Sequence, residues 1–216
     1  MFTTSLLLEQ IALIFLTQRS HKGHTSSLKR RVDRHSRLTL RLVMAPTGKD
    51  YDVDWCWSST SNTHVAIHRE WFTTFTTISS TVTSDGIKYA VEGIGDVTLE
   101  VRKLVGAAAK AAKSKAMVNS TVILKNVLFV PSFTCNVLGE PVRRDYDVSI
   151  GVDKLLMDKT TGRGVGLLER NEAGLTKVIL KGQAKGQSSM KGQQINELSV
   201  LWPDAEKEKW TAQGKS

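Results

Sequence analysis

Hydroxyl side chains crowd one short stretch, Asp54-Trp-Cys-Trp-Ser-Ser-Thr-Ser-Asn-Thr-His64. Ser58, Ser59, Thr60 and Ser61 follow two tryptophans, Asn62 comes next, and His64 closes the run. A serine becomes a nucleophile when a base takes its proton and a third group orients that base. Here His64 is the one base, no orienting acid is evident, and the strand–turn–helix setting of a hydrolase nucleophile is missing. Acid–base hydrolysis by paired carboxylates needs two acids sharing one proton within hydrogen-bond reach. The turn itself holds none.

Other groupings are thinner. His64 and His68 are four residues apart with Glu70 beyond, which on a helix would put two imidazoles on one face. A third ligand and the glutamate placement of a zinc protease are lacking, so ordinary histidines are the preferred reading and no metal is expected. Cys56 and Cys135 belong to no C-x-x-C pair and are read as small buried side chains in a reducing compartment. Trp55, Trp57 and Trp71 have no basic groove interleaved with them, which makes them core or rim aromatics rather than a base-stacking platform. No cofactor motif is present.

The elements that must position this stretch are short strands. Of 216 residues, 40% are hydrophobic and 24% charged, ordinary values for a globular chain. The net charge of +9 is uneven: residues 1–49 carry nine Lys or Arg against Glu9 and Asp33, which leaves +2 for the remainder. Residues 1–49 are therefore read as a basic, disordered leader. Residues 19–49 could hold weak, non-specific contacts to nucleic acid through phosphates. The alternative is a mitochondrial presequence, which the Arg-rich, acid-poor composition mimics. The first twenty residues are too short and too interrupted, at Glu9 and Gln10, to span a membrane. An intracellular location, cytoplasmic or nuclear, is favoured.

Residues 50–182 read as the domain. Ile87–Gly93 and Asp96–Val101 alternate apolar and polar residues as half-buried strands do, with Gly93-Ile94-Gly95 as a tight connection between them. Ser120–Pro131 is a strong strand signal, and turns fall at Thr161-Gly162 and Ala173-Gly174. Lys103–Ser120 is an Ala- and Lys-rich insertion suited to a solvent-facing loop or short helix. Asp85 and Asp96 are read as solvated turn-formers. Many short strands at this spacing predict an all-β fold, a small barrel or sandwich. Residues 183–216 read as a low-complexity flexible tail in which "KGQ" recurs, ending in one or two helical turns after Pro203.

In order and content these pieces resemble the protease-like β-barrel domain of Ty/copia-type retrotransposon Pol polyproteins. That family runs a Trp-containing strand into an Asp-Ser-Gly-Ala-Ser-x-His turn. A phenylalanine segment, a Gly-x-Gly, a strand ending "nVLyVP", an Asn-Leu-Leu-Ser segment and closing hairpins follow. The counterparts here are Trp55, Ser58–His64, Phe72 or Phe75, Ser84–Leu99, "LKNVLFVPSFTCNVLG" (Leu124–Gly139) and Leu155–Val178.

The resemblance implies a retropepsin-like all-β barrel, small and closed or partly open, with flexible N- and C-terminal extensions. It implies a flap-like loop at Gly93, Ile94 and Gly95, a structural segment behind the active loop at Asn136, Val137, Leu138 and Gly139, and pairing into a homodimer. The chemistry departs from the family. Ser58 stands at the catalytic Asp position, Ser59 keeps the hydroxyl, Thr60 replaces glycine, Ser61 replaces alanine, Asn62 replaces serine, and His64 alone matches. Asp52 and Asp54 lie upstream, but Trp55 anchors the alignment, and a shift of four residues would break strand register. The expectation is a non-catalytic barrel with binding or self-association as its activity. An aspartic endopeptidase with an atypical acid pair and a nucleic-acid-associated protein acting through the leader are the alternatives.

Overall fold

In the computed structural model the described residues are 53–104, 117–183, 195 and 197–213. Ten strands form one sheet: β1 (Trp55–Trp57), β2 (Val65–Ala66), β3 (Thr76–Ser84), β4 (Ile87–Leu104), β5 (Met117–Phe129), β6 (Asn136–Leu138), β7 (Tyr146–Ser149), β8 (Leu155–Asp158), β9 (Gly164–Arg170) and β10 (Thr176–Val178). One α-helix, α1 (Asp204–Gln213), follows. The all-β expectation holds.

The order across the sheet is β3-β4-β5-β2-β6-β1-β10-β9-β8-β7. The terminal strands β3 and β7 do not pair, so the sheet is not closed. It curls nonetheless. The C-terminal half of β4, beyond the reach of β3, meets the chain that continues β10: Arg102 N–H donates to Ile179 O (3.0 Å) and Lys181 N–H to Glu100 O (2.9 Å). Of the two forms expected, closed or partly open, this is the open one.

Apolar alternation buries both sides of the curl. Trp55, Leu99, Leu124, Leu138, Leu156 and Leu180 fill one cluster. Val65, Val82, Leu128, Val137, Val200 and Trp202 fill the other. Trp55 meets Trp71 edge to face at 5.5 Å, which assigns both rings to the core as the sequence suggested. Cys56 and Cys135 are free and fully buried.

The β3–β4 hairpin turns on Asp85 (φ 50°) and Gly86 (φ 76°), the left-handed pair that a two-residue hairpin of right-twisted strands needs. Gly162 and Gly174 also take positive φ, at the turns expected of them.

Two sequence expectations are corrected here. Gly93-Ile94-Gly95 is not a connection or a loop; it lies inside the 18-residue strand β4, paired to β3 through Thr76 and Thr77 and to β5 through Val127, Leu128 and Phe129. Its glycines answer a different demand. A Cβ at Gly95 would sit 2.0 Å from Thr74 O, and one at Gly93 would sit 2.0 Å from the Phe75 ring. The chain entering β3 crosses so close to β4 that no side chain fits. Asp96 likewise lies within β4, beside an irregularity in the β4–β5 register, and pairs with Lys125 at 2.7 Å instead of forming a turn.

The tail expected to be flexible from residue 183 onward contains a packed segment. Leu198, Val200 and Trp202 are buried, Leu201 bridges Thr83 of β3, and α1 follows. Of the Ala- and Lys-rich insertion, residues 105–116 lie outside the described residues, as does the leader; its flanks are the ends of β4 and β5. Among the described residues no helix is long and apolar enough to cross a membrane.

Candidate functional site

β1 and β2 are not neighbours in the sheet; β6 lies between them, parallel to β1 and antiparallel to β2. The run from Ser58 to His64 must therefore arch over the end of β6. Register fixes both feet: Ser58 N–H donates to Leu138 O (3.0 Å), and Leu128 N–H donates to His64 O (3.0 Å). Asn136, Val137 and Leu138 lie in β6 under the arch, and Gly139 follows. The turn residues and the Asn136–Gly139 segment are brought together.

Gly139 is the point of closest contact. A Cβ there would fall 2.0 Å from Thr63 O and 2.9 Å from Ser61 O. With hydrogen in that place, Gly139 N–H reaches Nδ1 of His64 at 3.0 Å, and Glu140 N–H reaches Ser61 O at 2.8 Å. Burial, and then the charge of Arg144, lower the His64 pKa to about 4. The imidazole is neutral at pH 7, with Nδ1 as acceptor and the proton on Nε2.

The hydroxyls face a different partner. Ser58 Oγ donates to Leu198 O, accepts Ser61 N–H (3.0 Å) and lies 2.7 Å from Ser61 Oγ. One hydroxyl has one proton, so with that proton on Leu198 O it is Ser61 that donates to Ser58. Ser61 Oγ in turn accepts Val200 N–H at 2.8 Å, and Thr60 Oγ1 donates to Leu198 O at 3.2 Å. Asn62 makes the most complete contact: its backbone N–H donates to Val200 O (3.1 Å), its Nδ2 to Trp202 O (3.0 Å), and its Oδ1 accepts Trp202 N–H (2.8 Å). The hydroxyl-rich turn is occupied by the backbone of Leu198–Trp202.

Ser59 and Thr60 also border a surface cavity of about 440 Å³ whose other wall carries Glu140, Arg143 and Arg144. Arg143 pairs with Glu140 at 3.2 Å and lies over the Trp57 ring at 5.3 Å. Among the described residues, Glu140 is the one carboxylate bordering this cavity.

Asp54, weighed from the sequence as a substitute acid, stands at the opposite end of β1 from Ser58. It is fully buried and held by Lys177 Nζ (2.9 Å), Asn171 Nδ2 (3.1 Å) and Gln183 Nε2 (3.3 Å). Burial alone would lower the Lys177 pKa, but the Asp54 carboxylate, with Glu169 at 3.4 Å behind it, raises it. The Asp54 carboxylate is committed to this pair and does not face the turn. Asp52 lies outside the described residues. His64 and His68 are not on a helix, since β2 lies between them, and no described cluster of three or more His, Cys, Asp or Glu is placed to hold a metal ion.

Sequence reasoning missed the Leu198–Trp202 segment, the Asp54–Lys177 pair and the Gly139–His64 bond. The first left almost no trace, since Ser199 is polar between Leu198 and Val200 but Leu201 is apolar and breaks the alternation of a strand. The other two join residues 123 and 75 positions apart and leave none.

Residues 55–141 match the family model described as "Pol polyprotein, beta-barrel domain". The match runs from β1 through the turn, the Gly93–Gly95 stretch and the Asn136–Gly139 segment, and covers fewer than half of the 216 residues. No curated protein and no solved structure matches the chain.

Proposed function

We propose, from the premise that residues 55–141 are a retrotransposon Pol polyprotein β-barrel domain, that this chain is a non-catalytic, copia-type member of that group. In this reading the turn that would hydrolyse peptides has become a binding and structural element. The carrying observation is the fate of Ser58, which by resemblance stands where the catalytic acid would be. Its hydroxyl proton is spent on Leu198 O and its lone pairs on Ser61. A hydroxyl does not ionise near neutral pH, and the base that would activate it is turned away: His64 presents Nδ1 to Gly139 N–H. The buried acid weighed as a substitute, Asp54, is paired with Lys177.

The test is an incubation of the full chain with a denatured polypeptide pool from about pH 4 to about pH 7, the range in which a shared-proton acid pair works. New termini are read by mass spectrometry, with and without an aspartic protease inhibitor. A Ser58→Asp/Thr60→Gly variant runs alongside. No inhibitor-sensitive cleavage by the natural chain is the expected result. Inhibitor-sensitive cleavage would restore the aspartic endopeptidase and direct the search for its acid to Asp52. Nucleic-acid association through residues 19–49 is read separately, as salt-dependent binding that disappears when residues 1–49 are removed.

A further inference from the structure

The inner part of the hydroxyl turn is committed, and its outer part is not. Ser58, Ser61 and Asn62 give their side chains to the backbone of Leu198–Trp202. Ser59 is exposed, and neither its hydroxyl nor its N–H bonds to any described residue; the Thr60 N–H bonds to none either. Both residues border the cavity of about 440 Å³, a volume within the range of about 300–1,000 Å³ usual for small-ligand sites.

The two guanidinium groups on the facing wall are not equivalent. Arg143 is held in place, its Nε at 3.2 Å from Glu140 and its plane 5.3 Å from the centre of the Trp57 ring. Arg144 is exposed and pairs with no carboxylate among the described residues. Its charge still reaches the buried side of the turn, where it helps to keep the His64 imidazole neutral. Two arginines against one glutamate leave a charge of +1 on this lining, and that glutamate is already paired. Free donors beside an uncompensated guanidinium select an oxyanion.

We infer that this cavity is an oxyanion site, and that its ligand is a phosphomonoester held by Arg144 and by the hydroxyl and N–H of Ser59. The inference rests on the non-catalytic reading of the turn. The carboxylate that the resemblance places at position 58 would repel an anion here, and the neutral Ser58 hydroxyl does not.

The lining favours a phosphomonoester over other anions. A carboxylate offers two oxygens. A phosphomonoester brings three acceptor oxygens and a charge of about −1.5 to −2 near neutral pH, which suits a guanidinium fork on one side and hydroxyl and amide donors on the other. A single-stranded nucleic acid needs an exposed ring on which a base can stack, and Trp57 is buried, with Arg143 over it. A free phosphate ester and a phosphorylated side chain on a peptide share the same head group.

The test titrates the full-length, isotope-labelled chain with inorganic phosphate, O-phosphoserine and a phosphoserine peptide. Ionic strength is held constant, because residues 1–49 carry nine Lys or Arg and attract any anion. The Ser59 and Thr60 amide resonances should shift saturably. No saturable shift at either amide with any of the three probes overturns the inference. Arg144→Gln should weaken binding at least about ten-fold and Ser59→Ala about three-fold. Glu140→Gln should tighten it about two- to five-fold. Lys88→Gln, an exposed charge on β4 that does not border the cavity, should change nothing. Equal losses in Arg144→Gln and Lys88→Gln would mean that anions follow net charge alone, and would overturn the inference. Should a variant fail to fold, the amide shifts of the natural chain decide.

Tighter binding of the peptide than of O-phosphoserine identifies a phosphorylated protein segment as the source; equal affinities identify a free phosphate ester. A single-stranded oligonucleotide that shifts the same amides at lower concentration than either phosphoserine probe overturns the phosphomonoester assignment. The mass of the recovered peptide keeps the two readings apart. Shifted amides with a cleaved peptide would sink the non-catalytic reading alone, and an intact peptide with unshifted amides would sink the oxyanion site alone.

Discussion

Gly139 donates its backbone N–H to Nδ1 of His64 across 3.0 Å, and that bond makes the hydroxyl turn and the end of β6 one rigid piece. The contact exists because residue 139 has no side chain: any Cβ would strike the Thr63 carbonyl. It also explains the imidazole. A ring accepting at Nδ1 inside the protein, with Arg144 nearby, cannot readily take a second proton.

A pH dependence follows with a definite sign. His64 titrates near 4 in the folded chain and near its ordinary 6.5 when unfolded. Between those values the unfolded chain binds a proton that the folded chain refuses. The contribution is therefore fully present above about pH 6.5 and drains away as the pH falls toward 4. The loss is on the order of 3 kcal/mol. His64→Gln keeps an acceptor for Gly139 N–H and has nothing to titrate. Urea midpoints at about pH 7.5 and about pH 4.5 should fall further for the natural chain than for this variant. Equal falls would place the proton uptake elsewhere.

Glycine substitutions should separate close approach from conformational freedom. Gly139→Ala and Gly95→Ala each drive a Cβ onto a backbone carbonyl at 2.0 Å, and neither carbonyl can step aside without moving a strand. Each should cost about 3 kcal/mol in chemical unfolding. Gly166→Ala is the control, since its Cβ meets first the flexible Leu156 Cδ1 at 3.3 Å, and it should stay within about 1 kcal/mol of the natural chain. Similar costs at all three sites would refute the steric account.

The Asp54–Lys177 pair should behave as a unit. Lys177→Met strands a fully buried carboxylate and should destabilise by roughly 3–5 kcal/mol; Asp54→Asn leaves the ammonium with Glu169 alone and should cost less. Lys177→Met combined with Asp54→Asn removes both charges and should cost clearly less than the two single changes added together. Additive costs would mean that the two groups do not see each other.

What the sequence disclosed and what it hid divide along a physical line. Signals that act locally were legible. The β-branched run of β5, the turn at Asp85 and the glycine turns at 162 and 174 are dictated by neighbours in the chain. Gly93 and Gly95 misled because glycine signals either backbone freedom or a close approach, and the approaching residues, Thr74 and Phe75, lie about twenty positions away. The segment from Leu198 to Trp202 looked like tail because its partners, Ser58 to Asn62 and Thr83, stand more than a hundred residues upstream. Five residues whose apolar–polar alternation breaks at Leu201 do not announce a strand. Within the site, Ser58, Asn62, His64 and Gly139 were all singled out, yet the bonds they make were not, since hydrogen-bond pairing belongs to the fold and not to the motif.

Introducing an acid into the turn should loosen the segment that covers it. In Ser58→Asp the group that donated a proton to Leu198 O is replaced by a carboxylate that can only accept, and two oxygens then face each other in a buried space. Burial and that carbonyl both raise the pKa of the introduced carboxyl. At neutral pH the amides of Val200 and Leu201, held by Ser61 Oγ and Thr83 O, should exchange with solvent at least about ten-fold faster than in the natural chain, or about 1.4 kcal/mol of lost protection. Acidification should close that gap, because the protonated carboxyl regains a donor for Leu198 O. The natural chain measured at each pH removes the contribution of His64. Ser58→Ala, which loses the donor without adding a charge, should show a smaller and pH-independent increase. If Ser58→Asp leaves both amides protected at neutral pH, the segment is held by its apolar side chains and not by the hydroxyl turn.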